Sequence, residues 1–153
     1  MAEDTIGQLG APLQSLVTAR GGVEVWRPGT GLLVTRVTGY LSLDGAQVIA
    51  RTFRPQVEED GSCTSFNDWG EMDDYDSEAR VLLTRAVYEL LSSVKGGHFF
   101  VRSRVVAFGV QVANVVLRRF TLHPSEASLQ RELSGALENR GPAPLGSNRR
   151  PSG

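Results

Sequence analysis

A single cysteine, Cys63, stands among 153 residues. That excludes an internal disulfide and any thiolate zinc cluster, and it suits a reducing compartment. A secretory leader is basic and then apolar, whereas this chain opens Met1-Ala2-Glu3-Asp4. Long hydrophobic runs are also missing. The best candidate, residues 105–117, falls short of the roughly 18 to 20 apolar residues a bilayer requires, and Gln111 and Asn114 interrupt it. The expectation is a soluble, cytoplasmic protein that does not engage a membrane. No excess of charge appears, since 16 Lys and Arg oppose 17 Asp and Glu. A net charge of −1 provides no field to attract nucleic acid. Motifs of fixed chemistry are absent: there is no Gly-x-Ser-x-Gly elbow, no His-Glu-x-x-His and no phosphate-binding loop. The two histidines, His98 and His123, are far apart, and no motif links them to Cys63. The sequence therefore predicts no catalytic residues, no metal and no cofactor.

What is present fits one domain with an ordinary core. Residues 1–21 carry little pattern. Leu13, Leu16 and Val17 suggest one helical turn, and Gly21-Gly22 then breaks the segment. Val23-Glu24-Val25-Trp26-Arg27 alternates apolar and polar, which predicts a half-buried strand. Pro28-Gly29-Thr30-Gly31 reads as a hairpin turn into a β-branched strand over 32–41. Ser42 stands where a cap would, ahead of a helical stripe of Leu43, Ala46, Ile49 and Phe53, with Pro55 near its end and a polar turn at 58–61. A short third strand over 62–66 leads into an acidic loop.

The helix after that loop is the clearest in the chain. Ala79, Leu82, Leu83, Ala86, Val87, Leu90, Leu91 and Val94 recur at spacings of three and four, so they share a face. Asp76 or Ser77 can cap it, and Gly96-Gly97 ends it. A buried strand over 98–101, a helix over 105–119 (a strand is the competing reading for part of it, since many of its residues are β-branched), a short strand over 120–122 and a final helix capped by Ser125 follow. From Arg140 the composition turns to Gly, Pro, Ser, Asn and Arg, which predicts a disordered tail over 139–153. Alternating strands and helices imply right-handed parallel crossovers. The predicted fold is α/β, a small mixed, mostly parallel sheet of four to five strands with helices packed on it.

That order, with Tyr75-Asp76-Ser77-Glu78-Ala79-Arg80-Val81-Leu82-Leu83 opening the helix after the third predicted strand, resembles the STAS family of anti-sigma-factor antagonists and their SpoIIAA-like relatives. Phe120-Thr121-Leu122-His123-Pro124-Ser125-Glu126-Ala127 is similar to the family's closing strand, turn and helix. The resemblance covers residues 22–138. Ala79 stands where the family usually has glycine, and the segment ahead is longer and more acidic. The resemblance implies a non-enzymatic bacterial signalling protein with Ser77 as phospho-acceptor. Its partner would be another protein, such as an anti-sigma factor or a kinase-like regulator, bound through Asp68, Trp69, Asp74, Tyr75, Asp76, Ser77 and Arg80. Phosphate on Ser77 would add charge beside Asp73, Asp74, Asp76 and Glu78 and so reshape that surface. The plain alternative is that Ser77 only caps a helix.

Other features have bland counterparts. Asp68, Glu71, Asp73, Asp74 and Asp76 lack the glycine and closing glutamate of an EF-hand, so a solvated loop is expected there. Trp69 and Tyr75 are partner anchors if exposed and seat the loop on the sheet if buried. Lys95, Arg102, Arg104, Arg118 and Arg119 form an acid-free stretch without interleaved aromatics, which does not indicate nucleic acid. Pairing of these cations with the acidic segment is the alternative. A second function class is a SpoIIAA-like small-molecule or lipid-binding domain with a pocket between the sheet and the helix over 105–120. A large apolar cavity there favours that class, and a closed core with an exposed Trp69 favours the protein-docking one. An enzyme would require two of the carboxylates to converge in a cleft. Oligomeric state is not legible in the sequence.

Overall fold

The computed structural model describes residues 4–140. The alternating segment becomes strand β2 (Gly21–Gly29), antiparallel to β3 (Leu32–Leu41). The turn between them works because Gly31 has φ 72°, a left-handed conformation that a side chain would resist. From β3 the chain adds β4 (Cys63–Tyr75), β5 (Val94–Val101) and β6 (Phe120–Leu122), each parallel to its predecessor. With β1 (Gln14–Thr18) at the edge beside β2, the sheet order is β1-β2-β3-β4-β5-β6. Strands added in one direction by right-handed crossovers place every connecting helix on the same face. Those helices are α1 (Leu43–Asp60), α2 (Ser77–Glu89) and α3 (Arg104–Leu117). Among the described residues only α4 (Glu126–Arg140), which follows the last strand, covers the other face, together with a short 3-10 helix at Ile6–Leu9.

Two hydrophobic clusters follow from this layering. One joins Leu33, Val37, Trp69 and Phe99 of the sheet to Ile49, Phe53, Ala79, Ala86, Val106 and Val110 of the three helices. The other joins Trp26, Leu32, Val34, Phe66 and Phe100 to Ile6, Leu129 and Leu133. Strand β3 opens on the apolar run Leu32-Leu33-Val34 because both of its faces are covered there, Leu33 in the first cluster and Leu32 and Val34 in the second.

Among the described residues the sheet has six strands rather than four or five. Residues 14–18, expected as part of a helical turn, form edge strand β1 (Gln14–Thr18), antiparallel to β2. The free hydrogen-bonding edge of β2 dictates that outcome, and a five-residue segment cannot announce it. Gly21, expected to break structure, pairs with Thr18. Helix α1 also runs past Pro55 to Asp60, because residues beyond the proline are anchored. Gln56 is buried and donates from Nε2 to the Leu32 carbonyl at 2.6 Å, and Gly61 closes the helix in a left-handed conformation. The segment expected as an acidic loop is the second half of β4. Strand β3 pairs with it throughout, from Arg36↔Asp68 to Leu41↔Tyr75, with register shifts on the way.

Helix α2 ends at Glu89, and a 3-10 turn at Leu91–Ser93 precedes β5, so Gly96-Gly97 lies inside a strand. A Cβ on Gly97 would stand 2.8 Å from the Phe120 ring, so the glycine lets β6 close onto β5. The tail expected from residue 139 lies, from residue 141 onward, outside the described residues. Among the described residues no helix is long and apolar enough to cross a membrane.

Candidate functional site

The small residues of α2 and α3 determine what lies beneath them. Ala79 and Ala86, seven apart, are the buried positions of α2, while Leu82, Leu83, Val87 and Leu90 are only partly buried. Opposite them, α3 presents Gly109 and Ala113. Four small positions leave space over β4 and β5, and a cavity of about 100 Å³ remains. Its walls are apolar, with Leu33, Phe53, Phe99, Val110 and Phe120 from the sheet and helices. Ser65, Asn67, Tyr75 and Thr84 add neutral polar groups to the lining. Among the described residues Arg80 is the single charged side chain lining the cavity, and it is half-buried. Among the described residues it makes no ion pair or hydrogen bond through its guanidinium.

The floor is rigid. Asn67 Oδ1 accepts from Thr35 Oγ1 at 2.7 Å, and its Nδ2 donates to Ser65 Oγ at 3.0 Å and to the His98 carbonyl at 3.1 Å. Trp69 Nε1 donates to the same Thr35 hydroxyl at 2.9 Å, and the indole meets Phe99 edge-on at 5.0 Å. Buried polar groups tied together in this way hold a single arrangement.

This arrangement separates the residues expected to bind a partner. Asp68 and Trp69 are 7% and 9% exposed, so neither is presented to another protein. Asp68 instead accepts from Arg36 at 3.1 Å, and Arg36 also reaches Asp4 at 3.2 Å. Trp69 lies in the cavity wall. Tyr75 is half-buried, its ring pressed against α3 where a Cβ on Gly109 would come within 2.5 Å of the phenol oxygen. Asp74 is exposed, its carboxylate accepting from the Tyr75 amide at 2.8 Å. Ser77 is exposed at the first turn of α2. Of the basic stretch, Arg102 does pair with the acidic segment, through Glu71 at 2.6 Å, an exposed contact that contributes little stability.

No family model and no curated protein matches this sequence. The crystal structure of an uncharacterised DUF3478-family protein from Shewanella loihica PV-4, described as having a SpoIIAA-like fold, is similar to it. The match has a TM-score of 0.58 at 12% identity and covers 77% of this chain and 98% of that one. The fold is SpoIIAA-like.

Within this SpoIIAA-like frame the Asp76-Ser77 pair divides its labour. Asp76 is the cap, accepting from the Glu78 amide at 3.4 Å, and Ser77 is the first residue of the helix it caps. Because that bond is long, Asp76→Ala is expected to cost about 0.5–1 kcal/mol, the lower part of the usual capping range. Ser77→Ala should leave stability unchanged, and urea unfolding of the two variants distinguishes them. Equal losses would mean that the serine shares the capping role.

Sequence reasoning missed one cluster altogether. His98 and His123, 25 residues apart, meet at 2.9 Å on the α4 side of the sheet. Burial holds the His98 imidazole below the ordinary histidine value of 6.5, the nearby Glu132 charge opposing and the His123 charge reinforcing that shift. No spacing rule could have found the pair, because parallel β5–β6 pairing is what makes them neighbours.

Proposed function

We propose that this SpoIIAA-like domain is a binding module for a small amphipathic anion, its apolar end in the cavity and its acidic group at Arg80. The observation that carries this reading is an apolar cavity lined by one charged side chain that lacks a counter-ion among the described residues. A half-buried guanidinium gains from a carboxylate because charge-assisted bonds strengthen as water is excluded. At about 100 Å³ the cavity suits a short acyl segment or a small ring rather than a drug-sized ligand. The buried Trp69 supports this class over the protein-docking one.

Octanoate and octanol are suitable probes, followed by intrinsic fluorescence, since Trp69 lines the cavity and Trp26 lies in the cluster on the opposite face. Octanoate is expected to bind, and Arg80→Gln to weaken it about tenfold or more, in line with a lost charge-assisted hydrogen bond. Octanol affinity should be the same in both proteins. If Arg80→Gln leaves octanoate unaffected, the anion-binding role of Arg80 is wrong. If neither probe perturbs the fluorescence, the cavity reading fails.

A second reading rests on the exposed Ser77 hydroxyl, three residues ahead of Arg80 on the same helix. Positions i and i+3 are neighbours on a helix surface. A phosphate on Ser77 would compete for the Arg80 guanidinium and oppose an anionic ligand, which makes the phosphoswitch a regulator of the same site.

A further inference from the structure

Three metal-ligating side chains that the sequence keeps apart converge on the face of the sheet opposite the cavity. Side chains alternate along β5. Phe99 packs with the α1–α3 cluster, so its neighbours His98 and Phe100 turn toward α4. The His98 ring lies flat on Phe66, centroids 5.0 Å apart and planes within 7°. His123 follows β6 directly, beside the strand that carries His98. Helix α4 brings Ser128 and Glu132, one turn apart, over the same corner. His98 Nδ1 lies 2.9 Å from His123 Nε2, and His123 Nδ1 lies 2.7 Å from Ser128 Oγ. One ligand atom from each of His98, His123 and Glu132 falls within 4.8 Å of the other two.

We propose that His98, His123 and Glu132 bind a divalent first-row transition-metal ion, with zinc the best match and one coordination position left to solvent. Zinc binds imidazole nitrogen at about 2.0–2.1 Å, which at a tetrahedral angle separates two nitrogens by about 3.3–3.4 Å. The two imidazoles need to part by only about half an ångström from their present contact. Both rings are half-buried, so they are positioned yet reachable, and the exposed Glu132 supplies an accessible carboxylate. Among the described residues Glu132 makes no ion pair with an arginine or lysine that would hold it elsewhere. Ser128 supplies the supporting contact that ligating histidines usually have. As acceptor of the His123 Nδ1 proton it leaves the Nε2 lone pair facing the site. Two nitrogens and one carboxylate select zinc, cobalt or nickel over magnesium and calcium, which demand all-oxygen shells. Three protein ligands with a fourth position open is the donor count of a zinc site that exchanges water or ligand, not of a closed structural one.

The test uses the full chain without an affinity tag, stripped with chelator, and titrated with Zn²⁺ by calorimetry and with Co²⁺ by visible absorption. One ion per chain is expected, with Co²⁺ giving the intense d–d bands of a four-coordinate site and Mg²⁺ giving no heat. His123→Ala should abolish binding. Glu132→Gln, at an exposed position that cannot threaten folding, should weaken it about tenfold or more. Absence of one-per-chain Zn²⁺ and Co²⁺ binding overturns the proposal. Full affinity in Glu132→Gln also overturns it, and that variant decides the matter if circular dichroism shows His123→Ala to be misfolded.

Discussion

Ala113→Leu is expected to abolish octanoate binding while leaving the protein about as stable as before. Ala113 is buried on α3 and lines the cavity. Adding a larger side chain to a packed core normally forces neighbours off their rotamers and costs about 1–3 kcal/mol. Here the added carbons enter space that already exists. Leaving such space empty has its own cost, about 24 cal/mol per Å³ in a series of core truncations, so filling it offsets strain elsewhere. The cavity of about 100 Å³ has room for the extra atoms but not for them and a ligand together. Binding and stability therefore part company, which a general folding defect would not produce. The measurement is an octanoate titration beside a urea midpoint. Undiminished binding in Ala113→Leu would remove the cavity as the ligand site. A loss of several kcal/mol would mean that the walls had already closed over the space.

Phe66→Ala is expected to cost about 3–5 kcal/mol, the range for truncating a buried phenylalanine. Phe66 is 1% exposed on β4, where Trp26, Leu32, Leu129 and Leu133 make up the cluster under α4. That cluster is built from large buried side chains, so collapse into the vacancy is limited. Against a total stability on the order of 5–15 kcal/mol, such a loss is a large fraction. Equilibrium urea unfolding measures it, with Val17→Ala as a control, since Val17 is 84% exposed on the edge strand and should change little. The same substitution removes the plane on which the His98 ring rests, so Zn²⁺ affinity should fall in whatever fraction stays folded. A cost below about 1 kcal/mol would show that α4 is only loosely attached to the sheet.

The two faces of the sheet are thus separable. Ala113→Leu acts on the side of α1–α3, Phe66→Ala and Glu132→Gln act on the side of α4, and β4 and β5 contribute side chains to both. Helix α3 has an additional property that sets it apart from α1. It buries Val106, Val110 and Leu117 yet leaves Phe108 and Val115 exposed, at 65% and 73%. A helix apolar on both sides is not what a solvent-facing layer requires.

The helices and the order of the strands were written locally. The spacing of Leu82, Leu83, Ala86 and Val87 defined α2, the run of β-branched residues defined β3, and Asp76 marked a helix start. These signals depend only on residues within a turn or a strand of one another, which is why a sequence can carry them. The resemblance to SpoIIAA-like proteins rested on that same order, and the architecture agrees with it.

What the sequence could not decide was everything that depends on a neighbour across the sheet. Edge strand β1 exists because β2 offers it a ladder. The acidic half of β4 is strand rather than loop because β3 runs beside it and Arg36 neutralises Asp68. Trp69 turned inward with that strand, which took it and Asp68 out of any docking surface and put the indole into a cavity wall. The cavity itself arises where Ala79, Ala86, Gly109 and Ala113 happen to face one another from two helices, a coincidence of packing that no single helical stripe records. His98, His123 and Glu132 were individually unremarkable, and only parallel β5–β6 pairing and the return of α4 over the sheet bring them together. Local periodicity specifies elements. Chemistry at a distance in the chain requires the tertiary fold, because the relevant distances are set by which strands pair and which faces are covered.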